Sequence, residues 1–150
     1  MVDNIDKKIM QLLQDNSRIS NAEIARKLDM ATSSVFERIK QLENKGIIEE
    51  YTAWFDCSKL GCDQIVFLLL RTTEMIGEIG AAKKIAEIPE VQEVHHVAGE
   101  DCYIVKLRVK DNKELASIMR NKLGKIKSIS SSKTIIVLES IKETGKLNIN

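Results

Sequence analysis

Residues 32 to 41 read TSSVFERIKQ, and their polar members could do chemistry together. On a helix, Ser33, Ser34, Glu37, Arg38 and Gln41 fall outward while Val35, Ile39 and Leu42 fall inward. Hydroxyl, carboxylate, guanidinium and amide groups on one exposed face suit hydrogen bonds to base edges and phosphates. The plainer alternative is a solvated face on a packing helix, since amphipathic three-helix units are common and motif matches carry false positives.

The flanking residues decide how that face is held. Ile5, Ile9, Leu12 and Leu13 form one apolar stripe, which predicts a helix over about 4–14, with Asp3 or Asn4 as its cap. Asn16 and Ser17 end it, and Ile19 is expected to tuck under as an anchor. Ser20-Asn21-Ala22-Glu23 reads as a capping box opening a second helix, with Ile24, Ala25 and Leu28 inward. Ala25 is small enough for a close helix crossing. After the turn Asp29-Met30-Ala31 the third helix spans about 32–45, and Gly46 supplies a left-handed C-terminal cap. Ile47 and Ile48 begin an extended segment, either a wing or the strand leading out. Two helices across a tight turn, the second polar outside, predict a helix-turn-helix that reads double-stranded DNA.

Composition narrows the partners. A chain of 150 residues, 43% hydrophobic and 30% charged with one proline, is globular and makes one ordinary domain or two small ones. Its 23 basic against 22 acidic residues argue against a general polyanion binder. A sequence reader with its positive charge on one face stays open, and its affinity should fall with salt. Cys57, Cys62 and Cys102 form an odd set without a CxxC pair, which argues against a disulfide framework or a zinc knuckle. MVDNIDKKIM is not a signal peptide, and the apolar run IVFLLL is strand-length, so a cytoplasmic protein without membrane contact is expected.

The second half changes period. Strands are predicted at about 64–73, 91–98, 102–110 and 130–139. Helices are predicted at about 77–88, with Ile79, Ala82, Ile85 and Ala86 inward, and at 112–123, with Leu115, Ile118, Met119 and Leu123 inward. This is a βαββαβ, ferredoxin-like order with both helices on one sheet face. The run from Ile65 to Leu70 is apolar on both faces, and TIIVL at 134–138 nearly so. The uncovered face costs about 25 cal/mol per Å2 of apolar area, so a second copy should cover it. The fold class expected is therefore α+β: an N-terminal winged helix-turn-helix of three helices plus a C-terminal ferredoxin-like domain. The divisions expected are a DNA-binding domain at 1–49, an extended linker at 50–62 anchored by Tyr51 and Trp54, a sensing and oligomerisation domain at 63–142, and a tail at 143–150.

Read from Ser34, SVFERIKQLENKGIIEEYTAWFD resembles the Lrp/AsnC, or feast-or-famine, family of transcription regulators. Arg38, Ile39, Leu42, Glu43, Gly46, Ile48, Tyr51 and Ala53 match the family pattern. Ala31 stands where a capping serine is usual, so Thr32 is expected to take that role, and Glu50 replaces the usual glycine before the tyrosine. The resemblance implies that Ser33, Ser34, Phe36, Glu37, Arg38 and Gln41 face the major groove. Arg38 is then the expected phosphate or guanine contact, Phe36 either meets a thymine methyl or packs on the wing, and Lys40 and Lys45 reach phosphates or stay solvated.

The turn Val97-Ala98-Gly99-Glu100-Asp101-Cys102-Tyr103 is a second point of resemblance. It implies a small-molecule effector site, for an amino acid, between dimers of a larger, octamer-like ring. Glu100 or Asp101 could receive an ammonium group, and Gly99 lets a ligand approach the backbone. Many members carry aspartate where this chain has Cys102, so that role would pass to Asp101. Ser132 and Thr134 match a paired-threonine element on the last strand and join the candidate set. An ordinary hairpin turn reads the same way.

No catalytic constellation, cofactor motif or metal set is expected. His95 and His96 are adjacent, so on a strand they point to opposite faces. Two rivals are a sirohaem-decarboxylase-like enzyme of the same fold, testable by tetrapyrrole absorbance, and an amino-acid-sensing accessory subunit, testable by gel shift.

Overall fold

The computed structural model describes residues 2–100 and 102–149, and the chain forms two compact units. The first comprises residues up to Trp54 together with those from Lys142 onward; the second runs from Phe55 to Ile141.

In the first unit, α1 (Asn4–Asp15), α2 (Asn21–Leu28) and α3 (Thr32–Asn44) enclose Ile9, Ile24, Ala25, Val35 and Ile39. Asp3 caps α1 by accepting the Ile5 and Asp6 amides, and Asp6 returns the bond to the Asp3 amide, a complete capping box. Ser20 accepts the Glu23 amide at 3.1 Å, but the Glu23 carboxylate pairs with Lys27 instead of reaching back. The α2–α3 turn passes through Asp29 at φ 54, a left-handed conformation that aspartate tolerates better than most side chains. At the end of α3, Gly46 has φ +65, and the amides of Ile47 and Gly46 return to the carbonyls of Leu42 and Glu43. Those two bonds make a Schellman turn, which closes the helix as expected. Residues 47–56 then run on with no strand pairing among the described residues.

Residues 142–149 belong to the first unit and fasten to α1. The Gln14 amide accepts from the Leu147 N–H at 2.6 Å and donates to the Leu147 carbonyl at 3.1 Å. Gln11 donates to the Ile149 carbonyl, and Lys146 pairs with Asp15 at 2.8 Å.

The second unit is a four-stranded antiparallel sheet in the order β2-β3-β1-β4, with β1 (Gln64–Thr72), β2 (Val91–His96), β3 (Tyr103–Val109) and β4 (Ile129–Ile136). Helices α4 (Gly80–Ala86) and α5 (Asn112–Asn121), with a short 3-10 turn at Leu123–Lys125, follow β1 and β3. Val66, Leu68, Leu70, Val105, Leu107 and Val109 are fully buried with Ile85 and Ile118. This is the expected α+β architecture.

Helix α4 departs from its predicted start. A tight turn, closed by the Glu78 amide on the Met75 carbonyl and by the Glu78 carboxylate on the Met75 amide, delays the helix to Gly80. Ile79 is left exposed, Ala86 is exposed, and Ala81 and Ile88 take the inward places beside Ile85.

The opposite sheet face follows from the register. Phe67 lies between Lys106 and Ile135, and Leu69 between Ile104 and Lys133. All four apolar residues are partly or well exposed, and Lys106 reaches Glu93 at 3.2 Å across β2. The face has an apolar centre bounded by charge.

Candidate nucleic-acid interface and effector site

The helical repeat places Ser33, Glu37, Lys40, Gln41 and Asn44 near the middle of the exposed arc of α3, with Ser34 beside them. All are exposed, and Val35, Ile39 and Leu42 are buried on the opposite side. Helix α3 starts at Thr32 with Ala31 in the cap position and no side-chain cap. The expected capping role of Thr32 is therefore not realised: Thr32 is the first helical residue, past the position from which a hydroxyl can fold back onto the first turn. The first-turn N–H groups, with the positive end of the helix dipole, face outward, an arrangement suited to a phosphate oxygen.

Arg38 is engaged within its own unit. Its Nη1 lies 2.7 Å from Asp3 Oδ2 and 2.7 Å from Asp6 Oδ1. The guanidinium thus bridges both members of the α1 capping box and ties α3 to the start of α1. These carboxylates hold the Arg38 proton more tightly than usual, Asp3 first and Asp6 second. The Asp3 carboxyl is lowered, first by the Asp6 amide and then by Arg38. The charge is thus neutralised twice within its own unit, and Arg38 lies at the edge of the polar arc.

Phe36 marks the other edge. Its half-exposed ring lines a groove of about 410 Å3 with Leu13, Ile19, Lys40, Glu43 and Tyr51. The Lys40 ammonium lies 5.8 Å from the ring centroid. Tyr51 donates to Glu43 at 2.8 Å, and its phenol is pushed up to about 12, by burial first and by Glu43 second. Lys45, beyond the helix, is exposed. Asn44, missed in the sequence, shares the polar arc; the heptad offset from Glu37 was the available signal.

In the second unit the candidate effector residues split. The Val97 amide donates to the Cys102 carbonyl and the Cys102 amide to the Leu70 carbonyl, which pins the turn to the end of β1. Gly99 has φ +153 and open space where a side chain would stand. Glu100 is exposed and pairs with Arg71 at 2.6 Å, a partner not expected from the sequence. Asp101 lies outside the described residues. Leu70 faces Tyr103 on one side and Ser132 on the other, so both sit at this end of the sheet with Cys102; Thr134 lies one pleat further along β4, opposite Leu68.

Tyr103 does not face the turn. It is 1% exposed, and its hydroxyl donates to the Glu78 carbonyl at 3.2 Å on the helix-covered side. Its phenol is raised by burial first and then by Glu74. Glu74, another residue the sequence did not flag, accepts the Ala81 amide at 2.7 Å through one oxygen; the other is buried without a partner among the described residues.

The adjacent histidines diverge as a strand requires. His95 meets Glu93 at 3.1 Å, and the His96 ring lies 5.0 Å from that of Tyr103. No group of three or more His, Cys, Asp or Glu side chains able to hold a metal occurs among the described residues. Among them, no helix is long and apolar enough to cross a membrane.

A three-helix unit with a polar third helix, joined in one chain to an antiparallel α+β unit, is the build of a helix-turn-helix transcriptional regulator with a second domain. The model of the winged helix-turn-helix DNA-binding domain matches residues 2–49, and that of the Lrp/AsnC ligand binding domain matches residues 79–147. The HTH-type transcriptional regulator FL11 of Pyrococcus horikoshii is 34% identical over 149 residues, covering 99% of this chain and 97% of its own. The leucine-responsive regulatory protein of Salmonella typhimurium is 28% identical over 152 residues, covering 99% and 92%. A transcriptional regulator from Neisseria meningitidis, solved as a complex with L-Met, superposes with a TM-score of 0.90 at 25% identity over 100% of this chain and 98% of that one. The chain belongs to the Lrp/AsnC family of transcriptional regulators, joining a DNA-binding helix-turn-helix to that family's ligand-binding domain.

Proposed function

We propose that this regulator reads specific double-stranded DNA through the exposed arc of α3, and that a small effector of the amino-acid class changes its assembly or its DNA binding. The observation that carries the reading is the outward set Ser33, Ser34, Glu37 and Gln41, exposed on the helix that follows the tight turn. Gln41 can pair with adenine and Glu37 can accept from cytosine, while Lys40 and the open first turn of α3 hold phosphates. Phe36 meets the DNA only at the edge of the footprint, and Arg38 serves as the brace behind it.

A second copy covers the apolar centre of the open sheet face at Phe67, Leu69, Ile104 and Ile135. The resulting homodimer presents two reading helices to half-sites about one helical turn, roughly 34–36 Å, apart or at multiples of it. Dimers then associate into an octamer-like ring, with the effector at the turn 97–103 near Ser132 and Thr134. An amino-acid effector fits the names of two relatives, one leucine-responsive and one solved with L-Met. It acts only through a difference in its affinity for the two assemblies.

The test is anisotropy with duplexes from the DNA upstream of the chain's own coding region. Gln41→Ala should weaken binding by about 1–3 kcal/mol at one base position, and Lys40→Ala should weaken all duplexes alike and flatten the salt slope by about one. Equal affinity for operator and scrambled DNA would sink the reading. A thermal-shift screen of the twenty amino acids, with Glu100→Ala as control and scattering to follow the oligomer, tests the effector.

A further inference from the structure

The Schellman turn that ends α3 occurs a second time, fifteen positions on. The Cys62 amide donates to the Cys57 carbonyl at 3.1 Å, and the Gly61 amide to the Ser58 carbonyl at 3.3 Å. These are the same nested bonds, and Gly61 takes the left-handed position at φ +69. Such a turn characteristically brings the side chains at its two bonded ends into contact. At the end of α3 those places hold Leu42 and Ile47, an apolar pair. In the second turn both hold cysteine.

Other observations agree. Both cysteines are free thiols, neither fully buried nor fully exposed. The Cys57 thiol also reaches the Phe55 carbonyl at 3.7 Å. The Cys62 thiol is raised by burial first and then by Cys57. The third cysteine, Cys102, lies on the far side of β2 in the chain, at the candidate effector turn.

We propose that Cys57 and Cys62 are a redox-active pair that closes reversibly into a disulfide across this turn. The co-reactant is a low-molecular-weight disulfide. A thiolate of one cysteine attacks a sulfur of the reagent and expels one reagent thiolate. The second cysteine thiolate then attacks that mixed disulfide and expels the other. Two cysteine thiols are oxidised, one reagent disulfide is reduced, and the two protons end on the two reagent thiols. Disulfide exchange needs the thiolate, which the raised Cys62 thiol forms less readily than a free cysteine, so closure speeds up as pH rises. The nested backbone bonds hold the two residues close before the ring closes.

Lys59 lies between the cysteines, which makes the test direct. The folded full-length chain is equilibrated with reduced and oxidised glutathione, quenched with acid and alkylated, then cut with trypsin. The expected result is a pair of peptides split after Lys59 that stay joined until a reductant is added, and that outnumber the glutathione adducts. Cys57→Ser and Cys62→Ser should each give a glutathione adduct at the remaining cysteine of the turn and no joined pair. Adducts alone in the parent chain, or a joined pair including Cys102, would overturn the proposal. If the joined pair formed only after unfolding in urea, the turn would not be its cause, and the proposal would equally fail.

Discussion

The two units hide apolar surface by different means. Among the described residues, the core cluster of the sheet-forming unit holds fourteen buried side chains, including Leu68, Leu107 and Tyr103. The core cluster of the helical unit holds five among the described residues, around Ile9 and Ile24, and the unit adds a capping box, a bridging arginine and a clipped tail. A small core leaves a domain marginal, so local polar chemistry decides more of its stability. One consequence is that a polar side chain of α3, Arg38, is engaged in holding the scaffold.

Paired core truncations should test that contrast most severely. Ile24→Ala should cost about 2–5 kcal/mol and unfold the reading unit at the working temperature, while Leu107→Ala, at the same cost, leaves the larger core folded. Calorimetry should resolve the two transitions, and loss of both with Ile24→Ala would show that the units melt as one. A smaller effect comes from the brace. Arg38→Ala should cost about 1–3 kcal/mol, with weaker DNA binding recovered as temperature is lowered. Full stability with abolished binding would instead return Arg38 to the DNA surface. Gly46→Ala should cost about 1 kcal/mol, since the added methyl has open space but the left-handed backbone is strained.

Acid gives the gentlest probe. The Asp3 carboxyl titrates below its ordinary 3.8 in the folded chain. Its contribution is therefore present above that value and lost as pH falls through the depressed one. The first transition should move down in temperature below about pH 4, and Asp3→Asn should flatten the dependence on pH.

What could be read in advance follows the range of the forces. The stripe Ile5, Ile9, Leu12, the inward trio Val35, Ile39, Leu42 with Gly46, and the two-sided strand Ile65–Leu70 are local patterns, and each appears as an element in its expected place. The Gln14–Leu147 clip and the Arg38–Asp3 bridge join positions 133 and 35 residues apart, and no periodicity announces them. The polar face of α3 was legible, but the engagement of one of its members behind the helix was not. Tyr103 was read with its turn, although the alternation of β3 turns its ring to the core with Val105 and Leu107. The late start of α4 depends on a carboxylate, Glu78, binding its own turn, which outweighs the apolar spacing that suggested an earlier start.

The clip of residues 146–149 onto α1 makes the reading unit discontinuous in the chain. On a ribosome its three helices emerge first, yet the strap that fastens to them emerges only after the whole sheet-forming unit has been made. The strap's bonds to Gln11, Gln14 and Asp15 therefore form only once the sheet-forming unit has been synthesised, so α1 stays unfastened while that unit is made.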